Sequence, residues 1–123
     1  MSNDFKKERT DLAAAFRWAA RLNMHEAVAN HFSFAVSEDG SQFLLNPIGM
    51  HFSQICASDL ILLDSNDPTT MLQPNAPDPT AWAIHGAIHR NNPQARCILH
   101  VHPKYATILA CLEDKTMKPI DQN

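Results

Sequence analysis

Apolar residues in the first part of the chain recur every three or four positions, which is the spacing of one helix face. The residues on this stripe are Leu12, Ala15, Phe16, Ala19 and Leu22. The basic residues of the same segment lie largely off the stripe. The pattern predicts an amphipathic helix from Asp4 to Leu22.

Shorter apolar runs follow, and their lengths are typical of strands. Phe32 to Val36 and Gln42 to Asn46 flank residues 37–41, whose Ser-Glu-Asp-Gly-Ser composition favours a hairpin turn. We therefore predict that the two runs form an antiparallel pair. Leu60 to Asp64 is then a compact buried strand.

The second half begins with a polar segment, residues 65–79, that carries prolines at positions 68, 74, 77 and 79. A loop this long inside a small domain is usually functional or disordered. Asp78 and Pro79 then form a helix start, with the carboxylate as N-cap and proline at the first helical position. The elements predicted from here on are a helix from Pro79 to about Asn91, a strand from Arg96 to His100, and a helix from Pro103 to about Leu112. This order predicts one α/β domain with helices packed on a mixed sheet.

Composition narrows the class of protein. The chain has 123 residues, of which 45% are hydrophobic and 19% charged, as in a soluble single domain. A net charge of −3 and scattered basic residues argue against nucleic-acid binding. No apolar run approaches the roughly 20 residues of a membrane span, and the first residues are polar. We therefore expect a cytoplasmic protein that does not bind membranes.

Three cysteines, Cys56, Cys97 and Cys111, are widely spaced and lie in apolar surroundings. An odd number of separated cysteines does not suggest a disulfide framework. We expect them to be reduced and to serve as small hydrophobic core residues.

The strongest chemical signal is a pair of histidines, His100 and His102, at the end of the last predicted strand. Side chains at positions i and i+2 of a strand point to one face, so both imidazoles can reach one metal ion. The alternative is that both are partly buried structural histidines with hydrogen-bond partners. A catalytic zinc also needs a third protein ligand.

Other titratable residues have simpler interpretations. His85 and His89 lie one helical turn apart, but no HExxH arrangement accompanies them, so packing against the sheet or a subunit contact is favoured over metal binding. Asp78 is interpreted as a helix N-cap. His31 is compatible with a surface loop, and Trp82 with a core or interface position.

Four separated blocks of this chain resemble the class II aldolase and adducin N-terminal family. The blocks are Ala29-Asn30-His31-Phe32-Ser33, Asn46-Pro47-Ile48-Gly49, Pro79-Thr80-Ala81-Trp82-Ala83-Ile84-His85 and Leu99-His100-Val101-His102. The resemblance runs from about Asp11 to Leu112. It implies a three-layer αβα domain with a mixed, largely antiparallel sheet. We expect residues 1–123 to form a single, truncated domain of this kind, because family enzymes are roughly twice this length. It also implies a homo-oligomer, which in the family is usually a tetramer.

The resemblance also implies a function. Family enzymes, which include aldolases of the lyase class, bind a divalent metal, most often zinc, through a histidine pair that matches His100 and His102. Their third histidine would lie beyond Asn123. Substrate-binding positions of the family match Asn30, Gly49 and Thr80. The family's catalytic glutamate matches Ala81, so the catalytic residue of this chain is unknown, and we expect the chain to be catalytically incomplete.

Several of the family's phosphate-binding donors are missing here, so a small hydroxy-carbonyl or keto-acid substrate is favoured over a phosphorylated sugar. Two alternatives stay open. One is an adducin-like, non-catalytic module for oligomerisation or protein binding, which the loss of the glutamate supports. The other is a regulatory or decoy subunit that completes its site with another chain.

Overall fold

The computed structural model describes residues 4–118, and each predicted helix and strand lies within two residues of its expected bounds. The elements are α1 (Lys6–Arg21), β1 (His31–Ala35), β2 (Gln42–Leu45), β3 (Ile61–Asp64), α2 (Pro79–Asn91), β4 (Cys97–His100) and α3 (Lys104–Cys111), with short 3-10 turns at Phe52–Gln54 and Thr70–Leu72. The predicted α/β class is confirmed.

The four strands form one sheet in the order β3-β2-β1-β4. Every pairing among the described strands is antiparallel, so the expected mixed sheet shows only its antiparallel part. The β1–β2 hairpin places Phe34 opposite Leu44. On the other side of β1, His31 lies opposite His100, which brings the end of β4 to the start of β1.

Helix α1 covers one face of the sheet. Its Phe16 stacks on Phe32 of β1 at 4.7 Å between ring centroids and meets Phe52 edge-on at 4.6 Å. All three side chains are fully buried. Burial of aromatic side chains on this scale is a main source of stability in a domain of this size.

Helix α2 covers the opposite face, which gives the three layers. Ala81 is buried against that face, and Trp82 stacks on Phe43 of β2 at 5.8 Å between centroids. The helix starts as predicted, because Asp78 Oδ1 accepts a hydrogen bond of 2.9 Å from the Ala81 backbone N–H and Pro79 occupies the first turn.

The prediction that the cysteines lie in the core is wrong, since all three are exposed. Their thiols are free in the structure. Cys97 lies on β4, which has a neighbour on one side only among the strands of residues 4–118, and Cys111 ends α3, a helix without a buried residue. Cys56 follows a 3-10 turn at the surface. Leu22 is likewise exposed, because α1 ends at Arg21 before the stripe is complete.

The β4–α3 edge of the domain, which we define as residues 97–112, exposes an unusual share of apolar side chains. Its exposed large hydrophobic residues are Leu99, Tyr105, Ile108 and Leu112. None of the helices within residues 4–118 has the length and apolar character required to cross a bilayer.

Candidate functional site

The rings of His100 and His102 face each other where β4 ends. Their Nε2 atoms are 3.0 Å apart and the rings are inclined at 80°. His100 is fixed by the pairing of β4 with β1, and the backbone N–H of His102 donates a 3.0 Å hydrogen bond to the Met24 carbonyl. Both side chains are half-buried. We call these two residues the histidine pair.

The second ring nitrogen of each residue of the pair also has a partner. His102 Nδ1 lies 2.7 Å from a carboxylate oxygen of Glu26, and His100 Nδ1 lies 3.1 Å from Nε2 of His31. Glu26 is held in place because Asn30 Oδ1 accepts a 2.6 Å hydrogen bond from its backbone N–H. Such outer contacts to carboxylates and other acceptors are typical of metal-binding histidines.

From His31 a line of hydrogen bonds continues into the interior between β1 and α2. Four residues form this line, namely His31, His85, Ser33 and His89. We call them the buried relay. His31 Nδ1 is 2.7 Å from His85 Nε2, and His85 Nδ1 contacts Ser33 Oγ. Ser33 Oγ is 2.7 Å from His89 Nε2, and His89 Nδ1 donates to the Ala95 carbonyl at 2.9 Å.

The residue spacing of a strand and that of a helix together explain why these four side chains meet. His31 and Ser33 are two residues apart in β1 and face α2, while His85 and His89 are four apart on the face of α2 that meets β1. Ser33, His85 and His89 are fully buried, and His31 is 5% exposed. The prediction that the two helix histidines pack on the sheet is confirmed. The interpretation of His31 as a surface loop residue is wrong.

Burial keeps the relay uncharged at neutral pH. Desolvation lowers the pKa of His85 to about 3, with smaller contributions from the neighbouring histidines. Burial also lowers the pKa of His31 and of His89. The pKa of His100 is lowered by burial and then by the adjacent His102.

The geometry of the histidine pair fits a divalent cation. Imidazole nitrogens are ordinary zinc ligands, and two bonds of about 2.0–2.1 Å in a tetrahedral site place their nitrogens about 3.3 Å apart. The observed Nε2 separation of 3.0 Å is close to that requirement. Residues 4–118 contain no group of three or more histidine, cysteine or acidic side chains arranged to hold a metal, so the pair is only part of a complete ligand set.

A small pocket with a cavity volume of about 40 Å³, open to solvent on one side, lies beside the buried relay. Its lining residues are Val28, Ala29, Asn30, His31, Asn46, Ile48, Asp78 and Ala81. Asn30 is 2% exposed, and within the described residues its Nδ2 atom has no hydrogen-bond partner. An unpaired buried amide donor beside a pocket is suited to bind a ligand oxygen.

The structure brings only one of the three predicted substrate-binding residues into this pocket, namely Asn30. Gly49 and Thr80 are both exposed and lie next to lining residues rather than among them. Gly49 has a φ of 75°, a conformation suited to glycine in its turn. Ala81, in the first turn of α2, presents only a methyl group to the pocket.

Sequence reasoning missed Glu26 and Ser33. Strand alternation could have placed Ser33 beside His31 on the face of β1 that meets α2. Nothing local marks Glu26, because its contact with His102 spans 76 residues of sequence.

A second histidine pair serves as an internal comparison. His25 Nε2 and His51 Nε2 are 2.8 Å apart. His51 Nδ1 accepts a hydrogen bond from the Ser53 backbone N–H, so its proton lies on Nε2 and is donated to His25. That pair therefore forms an ordinary hydrogen bond that leaves no shared place for a cation.

Comparisons with known proteins give matches in both sequence and fold. Residues 10–123 match the family model described as the class II aldolase and adducin N-terminal domain. A Pseudomonas aeruginosa protein whose name assigns it to aldolase class 2 is 32% identical over 116 residues, which is 93% of this chain and 43% of that protein. An adducin-related protein of Schizosaccharomyces pombe is 34% identical over 85% of this chain and 34% of its own length.

Among solved structures, an aldolase II superfamily protein from Pseudomonas syringae superposes with a TM-score of 0.77 at 29% identity, covering 94% of this chain and 46% of that one. The chain thus spans less than half the length of the curated relatives it matches.

Proposed function

Because the chain belongs to the class II aldolase and adducin N-terminal domain family, we propose that it is part of a metal-dependent carbon–carbon lyase. Its substrate would be a small hydroxy-carbonyl or keto-acid compound. The observation that carries this proposal is the histidine pair, whose Nε2 atoms converge at 3.0 Å while their outer nitrogens are held by Glu26 and His31.

His100 and His102 would hold the cation, with zinc as the proposed ion and a third ligand from outside the described residues. A divalent metal supplies Lewis-acid polarisation of carbonyl and hydroxyl oxygens. Glu26 accepts a hydrogen bond from His102 Nδ1. This contact orients the His102 ring and leaves the Nε2 atom to bind the metal. We propose zinc because imidazole nitrogens are among its ordinary ligands.

The neighbouring pocket would receive one oxygen-bearing end of the substrate. Asn30 Nδ2 is positioned to donate to a substrate oxygen, because its own Oδ1 is already committed to Glu26. We keep Gly49 and Thr80 as proposed contacts at the outer part of this site. The absence of a carboxylate at Ala81 leaves the proton-transfer group unassigned, and we propose that residues 4–118 do not complete the catalytic set.

Zinc titration of the purified chain tests the proposal, with a chromophoric chelator as competitor. We expect one zinc ion per chain, bound weakly because only two histidines hold it. The variants His100→Ala and His102→Ala should lose this binding. His25→Ala is the matched control, since it removes a histidine from the other pair and should leave zinc binding unchanged. Absence of zinc binding by the wild-type chain would overturn the proposal.

A second candidate function is a non-catalytic module of the adducin kind, and two observations favour it. Position 81 is alanine, and the β4–α3 edge exposes Leu99, Tyr105 and Ile108. Exposed apolar side chains of this density are typical of protein contact surfaces. We propose that this edge takes part in a homo-oligomer, which native mass spectrometry would detect. Oligomerisation without zinc binding would favour this candidate over the lyase.

We also propose a cytoplasmic location. The three cysteines are exposed and unpaired in the structure, which suits a reducing compartment. Fluorescence microscopy of a tagged chain would check this directly.

A further inference from the structure

We infer that the buried relay fixes the tautomer of His100, so that its Nε2 atom presents a lone pair toward His102. The inference deepens the proposed function and rests on it, because it assigns positioning roles to residues that do not touch the cation. The members of the relay lie too deep in the interior to contact a metal or a substrate themselves, apart from His31 at its outer end.

The direction of the relay is set at its inner end. A backbone carbonyl can only accept, so His89 must donate its Nδ1 proton to Ala95. The Nε2 atom of neutral His89 is then an acceptor, and the Ser33 hydroxyl donates its single proton to it. Having spent that proton, Ser33 accepts from Nδ1 of His85.

The same logic continues to the site. His85 carries its proton on Nδ1, so its Nε2 atom accepts from Nδ1 of His31. The Nε2 atom of His31 in turn accepts from Nδ1 of His100. The only nitrogen of His100 left without a proton is Nε2, the atom that faces His102 at 3.0 Å.

The opposite side of the pair is fixed in the same way. In neutral His102, Nδ1 donates its proton to the carboxylate of Glu26, which leaves a lone pair on the Nε2 atom. Two lone pairs therefore face each other, an arrangement that favours a cation between them. The His25–His51 pair differs because there one Nε2 atom carries a proton.

Ser33 is the residue on which the direction depends. In Ser33→Ala, His85 Nδ1 loses its acceptor. The ring protons of His85, His31 and His100 can then move from Nδ1 to Nε2. The hydrogen bonds to His31 and His100 survive this reversal, and His100 then donates to His102. The reversed relay blocks the cation with a proton and leaves the ring positions unchanged.

Two-dimensional long-range ¹H–¹⁵N spectra of the zinc-free chain, labelled with ¹⁵N-histidine and recorded at pH 7.5, report which ring nitrogen carries the proton. We expect His31 and His85 to be Nδ1-protonated in the wild-type chain and Nε2-protonated in Ser33→Ala. Nε2-protonated His31 or His85 in the wild-type chain would overturn the inference. This result on the wild type decides the question even if Ser33→Ala does not fold.

Zinc titration supplies the second readout. Loss of an outer partner of a metal ligand typically weakens metal binding by about 10- to 100-fold, and we expect a decrease of that size in Ser33→Ala. Ser65→Ala is the matched control, because Ser65 is also buried but its Oγ atom has no partner within residues 4–118. Equal zinc affinity of Ser33→Ala and the wild type would overturn the inference.

The two readouts separate this inference from the proposed function. If the wild-type chain binds no zinc, the proposed function fails, while the tautomers still show whether the relay has the assigned direction. If the wild-type chain binds zinc but its tautomers are reversed, the proposed function stands and the relay does not.

Discussion

Gly40 lies directly against the main-chain carbonyl of His89. A Cβ atom on Gly40 would come within 2.3 Å of that oxygen, and the glycine has a φ of 73°. The turn between β1 and β2 is therefore packed against the last turn of α2, next to the inner end of the buried relay.

We predict that Gly40→Ala lowers the free energy of unfolding by more than about 2 kcal/mol, because a left-handed backbone strain of about 1–2 kcal/mol is added to a backbone clash. Gly49→Ala is the control, since Gly49 has a φ of 75° but nothing within 4 Å of its Cβ position. Urea unfolding should therefore show a clearly larger loss at position 40. Equal losses in the two variants would refute the close packing described here.

Acid should destabilise the fold through the buried histidines. The pKa of His85 is about 3 in the folded chain against an ordinary value of 6.5. Below pH 6.5 the unfolded chain binds more protons, so the stabilisation present above pH 6.5 is lost progressively as pH falls toward 3. His31 and His89 act in the same direction.

For His85 alone, lowering the pH from 6.5 to 5 should decrease the free energy of unfolding by about 2 kcal/mol, taking 1.36 kcal/mol per pKa unit. Urea unfolding at pH 7.5, 6.5 and 5 measures this. A stability that is constant, or that rises toward pH 5, would be inconsistent with neutral buried histidines.

Glu26→Gln should weaken zinc binding to the histidine pair by up to about 10-fold. The amide oxygen can still accept from His102 Nδ1, but the negative charge that strengthens the ligand is lost. Glu26→Ala removes the acceptor as well, and we expect a larger loss, within about 10- to 100-fold. Glu38→Gln, at an exposed turn position, is the control for charge alone. Zinc affinities that do not follow this order would speak against the outer role of Glu26.

Asp78 should behave as a cap rather than as a catalytic group. Its Oδ1 atom accepts from the Ala81 N–H, so Asp78→Ala should lower the free energy of unfolding by about 0.5–2 kcal/mol. Asp78→Asn preserves the acceptor and should remain within a few tenths of a kcal/mol of the wild type. Thermal unfolding of the three proteins tests this. A similar loss in both variants would show that the negative charge matters beyond capping.

The elements were predictable because their signals are local. The Asp78-Pro79 start of α2 is one example, and the apolar spacing around Phe16 is another. The cysteines were misjudged because an apolar neighbourhood in sequence does not tell whether a strand lies at the edge of a sheet. Cys97 is on β4, which ends the row of four described strands, and Cys97 is exposed.

Local sequence patterns predicted only part of the candidate site. Spacing along β4 singled out His100 and His102, but their outer partners come from distant segments. His31 reaches His100 through strand pairing, and Glu26 reaches His102 through a loop held by Asn30. Such contacts depend on tertiary packing, which a single sequence does not encode in any local pattern.

The position of β4 in the sheet gives the histidine pair an unusual setting. Among the described strands β4 has a neighbour on one side only, so the backbone N–H and C=O groups along its outer border are open to an incoming strand. A polypeptide that aligned along this border would bring its own side chains next to His100.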